Sequence, residues 1–181
     1  RYPNVHFKIL NNSTKKSIHI VKEGNVDFAV VSAPFQIEKP LKKITLRKYH
    51  DILISGKRYR ELKGKQLSIR QLSKYPWISL TSEAITRKFL NQYFEKNGLK
   101  FEPDIELATT DMILPAVRHN LGIGFIPPEF ATDDLDSEEI FEIHVQETFP
   151  ERNITLIYDT EYPQSIAAKE FLKFLNDTTT L

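Results

Sequence analysis

Cysteine is absent from all 181 residues. That removes disulfides and thiolate chemistry, and it agrees with a reducing compartment. No run of about 18 apolar residues occurs, so no segment has the length to cross a bilayer as a helix. HExxH, the GxSxG elbow and the glycine-rich phosphate loop are all missing. The histidines, His6, His19, His50, His119 and His144, never pair at metal-ligand spacing. No nucleophile, base and orienting group assemble, so neither catalysis nor a metal or other cofactor is expected. The chain opens Arg1-Tyr2-Pro3 without Met and without a signal-peptide pattern. It reads as a piece of a longer or processed product, so its start decides nothing about export.

What is present fills a core. Hydrophobic residues make up 40%, with 12 Phe and 7 Tyr, enough for one large domain or two smaller lobes. Charge is uneven. Residues 1–100 carry 21 Lys and Arg against 7 Asp and Glu, a balance of +14; residues 101–181 carry 4 against 17, or −13. Such asymmetry marks either a nucleic-acid surface or two surfaces that attract each other, and the second is favoured. The run Lys57, Arg58, Arg60, Lys63, Lys65 and Arg70 reads as solvated surface, with only Tyr59 interleaved for stacking.

The stretch from Val5 to Ser32 predicts strand, polar turn, helix and strand. Val5, Phe7 and Ile9 alternate with polar residues. Ser13 and Thr14 suit a helix start, Ile18 and Val21 would face the sheet, and Gly24-Asn25 suits a left-handed helix end. A parallel strand pair with a right-handed crossover is expected. Further strands are expected within 44–55, at 77–80, 104–108, 123–126, 140–145 and 153–158, and helices at 83–97, 112–120 and 164–175. Ile85, Phe89 and Tyr93 form one stripe of the first of these helices, beside Leu90 and Phe94. Pro115 conflicts with the second. Residues 131–139 read as an acidic loop. Asp27 and Asp51 lie in or beside strands, where a satisfied turn or edge carboxylate is the ordinary explanation.

One device recurs: strand, hydroxyl pair, helix, at residues 13–14, 81–82 and 109–110. Hydroxyl donors beside the open amides of a helix start hold an anion without Lys or Arg. The alternative reading is plain helix capping. The physical reading is a small-molecule pocket between helix amino ends.

Several segments carry a resemblance to the effector-binding, or co-inducer, domain of LysR-type transcriptional regulators. Pro3-Asn4-Val5 resembles the family's opening P-x-V. The segment from Glu23 to Val30, EGNVDFAV, resembles G-x-L-D-x-A-I, and Leu67 to Pro76 is similar to L-x-x-L-x-x-x-P. Val117 to Pro127, with Gly122-Ile123-Gly124-Phe125-Ile126-Pro127, resembles V-x-x-G-x-G-I-x-x-L-P, and Phe171 and Leu175 fit the F-x-x-F-L ending. The chain departs from common members at Asn11-Asn12 and at Met112–Pro115.

The resemblance implies an α/β chain of type II periplasmic-binding-protein fold in a cytoplasmic bacterial protein. Two lobes are joined by two crossovers, residues 1–72 with 146–181 forming one and 73–145 the other. A small effector is expected in the cleft between them. Ser13, Thr14, Ser32, Thr81, Ser82 and Thr109 or Thr110 correspond to cleft-lining positions, and Phe125 to its floor. DNA is expected to be bound through an N-terminal winged helix-turn-helix outside this stretch, with no membrane contact. An antiparallel homodimer is implied, and a tetramer for the full-length protein. The lobes so drawn carry −7 (residues 73–145, 6 basic and 13 acidic groups) and +8, which suits that antiparallel pairing. An extracytoplasmic solute-binding protein for a small anion is the alternative on the same fold.

Overall fold

The computed structural model describes residue 3 and residues 5–179. The first elements in the chain are α1 (Thr14–Lys22), β1 (Ala29–Ser32), β2 (Leu41–Tyr49), β3 (Ile52–Gly56), β4 (Gln66–Leu67) and α2 (Ile69–Leu72). Next come β5 (Trp77–Leu80), α3 (Ile85–Lys96), β6 (Ile105–Leu107), α4 (Ile113–Arg118) and β7 (Ile123–Ile126). The last are α5 (Thr132–Asp136), β8 (Ile140–Val145), β9 (Arg152–Asp159) and α6 (Ile166–Thr179). The chain divides into two units: residues 1–47 with 153–181, and residues 48–152.

The first unit is built on a three-stranded sheet of order β1-β9-β2. Its core is Val21 of α1 with Ala29, Val31, Leu41 and Ile157, and Ile18 packs against it. Gly24 leaves α1 with φ +71°, a conformation open to glycine at little steric cost. The strand predicted at Val5–Ile9 is not formed. Residues 5–10 take no regular structure, and Phe7 and Ile9 are 83% and 88% exposed. Instead β1 pairs antiparallel with β9, from Ala29 opposite Ile157 to Ser32 opposite Ile154. Alternation signals a half-buried strand only where one face finds cover. Here the cover goes to the ladder with β9, whose Leu156 and Ile157 are fully buried.

The second unit holds a six-stranded mixed sheet of order β4-β8-β3-β7-β5-β6. β3 runs antiparallel to both β7 and β8, while β5 runs parallel to β6 and β7. Both faces are buried, and the period of two divides the side chains between them. Leu53, Trp77, Ile123 and Phe125 join Leu72, Leu90, Tyr93 and Phe94 on the face covered by α2 and α3. Ile54, Ile78, Leu80 and Ile126 join Ile113, Ala116 and Val117 on the face covered by α4. Gly122 lets this layer close: a Cβ there would run into the Pro76 carbonyl oxygen. Pro115 is tolerated because it is the third residue of α4, where the amide has no helical acceptor. The acidic loop contains a short helix, α5.

The units divide at 47/48 and 152/153, whereas the resemblance implies lobe boundaries at 72/73 and 145/146. The difference has a packing cause. β3 sits between β7 and β8, and Leu62, Ile69 and Leu72 share a core with Trp77 and Phe94. The observed bounds also halve the charge contrast. Residues 48–152 carry 14 basic and 17 acidic groups, or −3, and the rest carry 11 and 7, or +4. Part of that charge is paired within the second unit, by Lys63–Glu138 at 2.7 Å, Lys57–Glu139 at 2.6 Å and Arg118–Asp134 at 3.4 Å. Lys63 holds the Glu138 carboxyl below its ordinary pKa.

Phe125 lies at the centre of the aromatic layer, its ring 5.8 Å from Trp77 and 4.6 Å from Phe149. Phe125→Ala is expected to cost about 3–5 kcal/mol of unfolding free energy, read by urea titration. A loss under about 1 kcal/mol would show that the ring is not a packing element.

Candidate functional site

The site begins with strand pairing. β5 and β6 are parallel neighbours in register from Ile78 opposite Ile105 to Leu80 opposite Leu107. The Thr81 amide continues the ladder, donating to the Leu107 carbonyl at 3.0 Å. Both strands therefore end at the same level, and the pairs Thr81-Ser82 and Thr109-Thr110 leave side by side. The helices that follow go to opposite faces: α3 packs with Trp77 and Phe125, and α4 with Ile78 and Leu80. Where successive connections part to opposite faces, the carboxyl ends of the strands border a crevice, the usual ligand position in open α/β sheets.

Arg87 ties α3 to this edge. It is 7% exposed. Its Nη1 donates to the Leu80 carbonyl at 3.1 Å and to Glu106 Oε1 at 2.7 Å, and its Nε to Asn91 Oδ1 at 3.0 Å. One guanidinium thus joins the end of β5, a side chain of β6 and the next turn of α3. Its place was readable: Arg87, Leu90 and Phe94 lie at spacings of three and four on the buried stripe of α3. The first-turn amides, Ile85 to Arg87, have no acceptor within the helix. The hydroxyl pair does not cap α3, because its N-cap is Ala84.

The remaining predicted residues fall elsewhere. Ser13 is the N-cap of α1 but makes no side-chain capping bond, Thr14 begins that helix, and Ser32 ends β1. All three belong to the first unit. Thr109 precedes a short 3-10 turn, again without a capping bond. Phe125, expected at a cleft floor, is 4% exposed inside the aromatic layer. A concavity of about 370 Å³ on the second unit is lined by residues between Leu62 and Tyr75 and includes no hydroxyl pair. Among the described residues no three His, Asp or Glu side chains stand together as a metal site, and no helix is long and apolar enough to cross a membrane.

Asp51 is not a simple turn carboxylate. Its Oδ2 accepts from Arg152 Nη1 at 2.6 Å, and both side chains are 2% exposed. Arg152 Nη2 donates to Thr86 Oγ1 of α3 at 2.8 Å. The guanidinium lies 5.5 Å from the Tyr49 ring and 5.0 Å from the Phe89 ring. Burial pushes the Asp51 carboxyl above its ordinary pKa, against the pull of Arg152. Nothing in local sequence links residues 101 positions apart.

Comparison with known proteins identifies the class. The model of the LysR substrate binding domain matches residues 1–180, and the chain belongs to that family. The chain is 22% identical over 175 residues to the HTH-type transcriptional regulator YofA of Bacillus velezensis, covering 97% of this chain and 58% of that protein. It spans about half the length of the curated relatives it matches. Among solved structures, the effector binding domain of QuiR in complex with shikimate superposes with a TM-score of 0.77 at 17% identity, over 91% of this chain and 77% of that one. The regulatory domain of CcmR from Synechocystis PCC6803 in complex with 2-PG gives 0.76 at 20%, over 93% and 80%. The fold is therefore the two-lobed α/β fold of type II periplasmic-binding proteins.

Arg87→Met should remove three polar bonds and leave the Leu80 carbonyl and Glu106 without their donor, for a loss of about 2 kcal/mol by chemical denaturation. Arg87→Lys should recover little of it, because an ammonium lacks the planar fork. Full recovery by Lys would reduce the role of Arg87 to its charge.

Proposed function

We propose that this regulatory domain senses a small anion, a carboxylate or an inorganic oxyanion, at the crevice between the carboxyl ends of β5 and β6. What supports the reading is that β5 and β6 end level, that each is followed by a hydroxyl pair, and that α3 starts soon after β5. Thr81, Ser82, Thr109 and Thr110 supply hydroxyl donors there, and Ile85, Thr86 and Arg87 supply amides aligned with the positive end of the helix dipole. The charge of Arg87 is taken up by Glu106, so dipoles rather than a cation select the ligand. Ser13, Thr14 and Ser32, all of the first unit, are proposed as further effector contacts. Shikimate, bound by the QuiR domain, carries a carboxylate, which supports an anion of this kind.

The domain binds its small molecule without converting it, as its family does. Binding shifts a conformational population, by as much as the ligand's affinities for the two states differ. A DNA-binding helix-turn-helix beyond this stretch would receive that shift, in keeping with the relative named as an HTH-type regulator. The cytoplasm is the compartment such a role requires. An antiparallel homodimer is proposed as the assembled form. With Lys57, Lys63 and Arg118 already paired inside the unit, apolar contacts rather than charge would hold it.

Isothermal calorimetry with sulfate and simple carboxylates tests the site. Thr81→Ala is expected to weaken binding about three- to tenfold. Equal affinity would remove Thr81 from the site, and no heat with any anion would end the reading. Sedimentation of residues 1–181 across concentration is expected to show a monomer–dimer equilibrium that salt alters little. Monomer at every concentration would defeat the dimer.

A further inference from the structure

The chain passes between the two units twice, at 47/48 and at 152/153. On the second unit's side these crossings are tied to each other. Lys48 Nζ meets Glu151 Oε1 at 3.0 Å on the surface, and Asp51 meets Arg152 at 2.6 Å in the interior. The interior pair also reaches α3 through Thr86 Oγ1. We propose that Arg152 is a positioning residue that couples the first turn of α3 to both chain crossings, so that occupancy of the crevice is registered at the crossings.

The chemistry supports a coupling role more than a stabilising one. A buried ion pair often does no better for stability than packed apolar side chains, because both charges lose their hydration. It does restrict geometry. Arg152 presents a planar fork with one arm on Asp51 and the other on Thr86. The Tyr49 and Phe89 rings flank the guanidinium at 5.5 and 5.0 Å. The Arg152 and Asp51 side chains are 2% exposed and Thr86 is half-buried, so the guanidinium has little water to turn to, and a displacement of Thr86 must be followed by Arg152 or cost a hydrogen bond. Thr86 is the second residue of α3. Its amide belongs to the open first turn, and its hydroxyl accepts from Arg152. One residue therefore faces the proposed ligand through its backbone and the crossings through its side chain. The β2–β3 turn carrying Asp51, the start of β9 carrying Arg152 and the start of α3 form a three-way junction.

The ligand half of this inference rests on the anion reading above; the coupling half does not, and the test separates them. Amide hydrogen exchange is followed in the 1–181 chain for segments 47–53 and 150–154, with β7 and α4 as internal references. Thr86→Val keeps the shape and the amide but removes the hydroxyl. It should speed exchange about tenfold in both crossing segments, leaving the references unchanged. Thr86→Ser, which restores the hydroxyl, should return both segments to within about twofold of wild type. Wild-type exchange at the crossings in Thr86→Val overturns the coupling, as does equal acceleration of every segment in both variants. Sulfate is then the probe. It should slow exchange at the crossings in wild type but not in Thr86→Val brought to the same occupancy, as set by each protein's own calorimetric titration. Sulfate that binds wild type without altering the crossings also overturns the coupling. Sulfate and carboxylates that fail to bind at all overturn the ligand half, and the ligand-free comparison of the two Thr86 variants still decides the coupling.

Discussion

The parallel pairing of β5 with β6 is the constraint on which the carboxyl edge of the second unit depends. Three residue pairs, Ile78–Ile105 through Leu80–Leu107, bring two loops level that are some thirty residues apart in the chain. A slip of one residue would turn Ile78 and Leu80 away from α4 and expose them. Their burial at 1% and 6% therefore holds the register, and the register holds the hydroxyl pairs side by side. Arg87 adds a polar check on the same alignment, because it bonds to Leu80 and Glu106 at once.

Two guanidinium groups, Arg87 and Arg152, are nearly buried in a unit whose core is mostly aliphatic and aromatic. Each has the partners that burial demands: a carboxylate, a neutral oxygen, and a ring within about 5 Å, Phe101 for Arg87 and Phe89 for Arg152. Both engage α3, one at the strand ends and one at the chain crossings. The helix that follows β5 is thus held by directional bonds at two places along its first turn, besides its apolar stripe. Hydrophobic packing tolerates small shifts, and directional bonds tolerate fewer.

Charge gives a different lesson. The contrast of +14 against −13 between the two parts of the chain suggests two attracting surfaces. Folding brings much of that attraction inside one unit, where the basic stretch at 57–63 lies against acids at 138–139. These exposed pairs are screened by salt and add little to stability. Segments distant in sequence become neighbours in the ladder β8-β3, so a tally along the chain does not predict the field around the fold.

Periodicity, glycine and proline were enough to determine that α3 ends before Gly98, that 77–80 and 123–126 are strands bounded by proline, and that a hydroxyl pair follows β5 and β6. They were also enough for the family, because its motifs lie in short segments whose order survives in a single chain. Partner choice was another matter. The alternation at Val5, Phe7 and Ile9 is as regular as any in the chain, yet β1 takes β9, more than a hundred residues away, as its neighbour. The division at 47/48 and 152/153 follows from β3 lying between β7 and β8, a fact with no local trace. Asp51 and Arg152 are each ordinary in sequence and become a buried pair only after the crossings meet. Local pattern records which face of an element wants cover, since that depends on residues three, four or two apart. Which element supplies the cover depends on burial summed over the whole unit, and only the tertiary structure decides it.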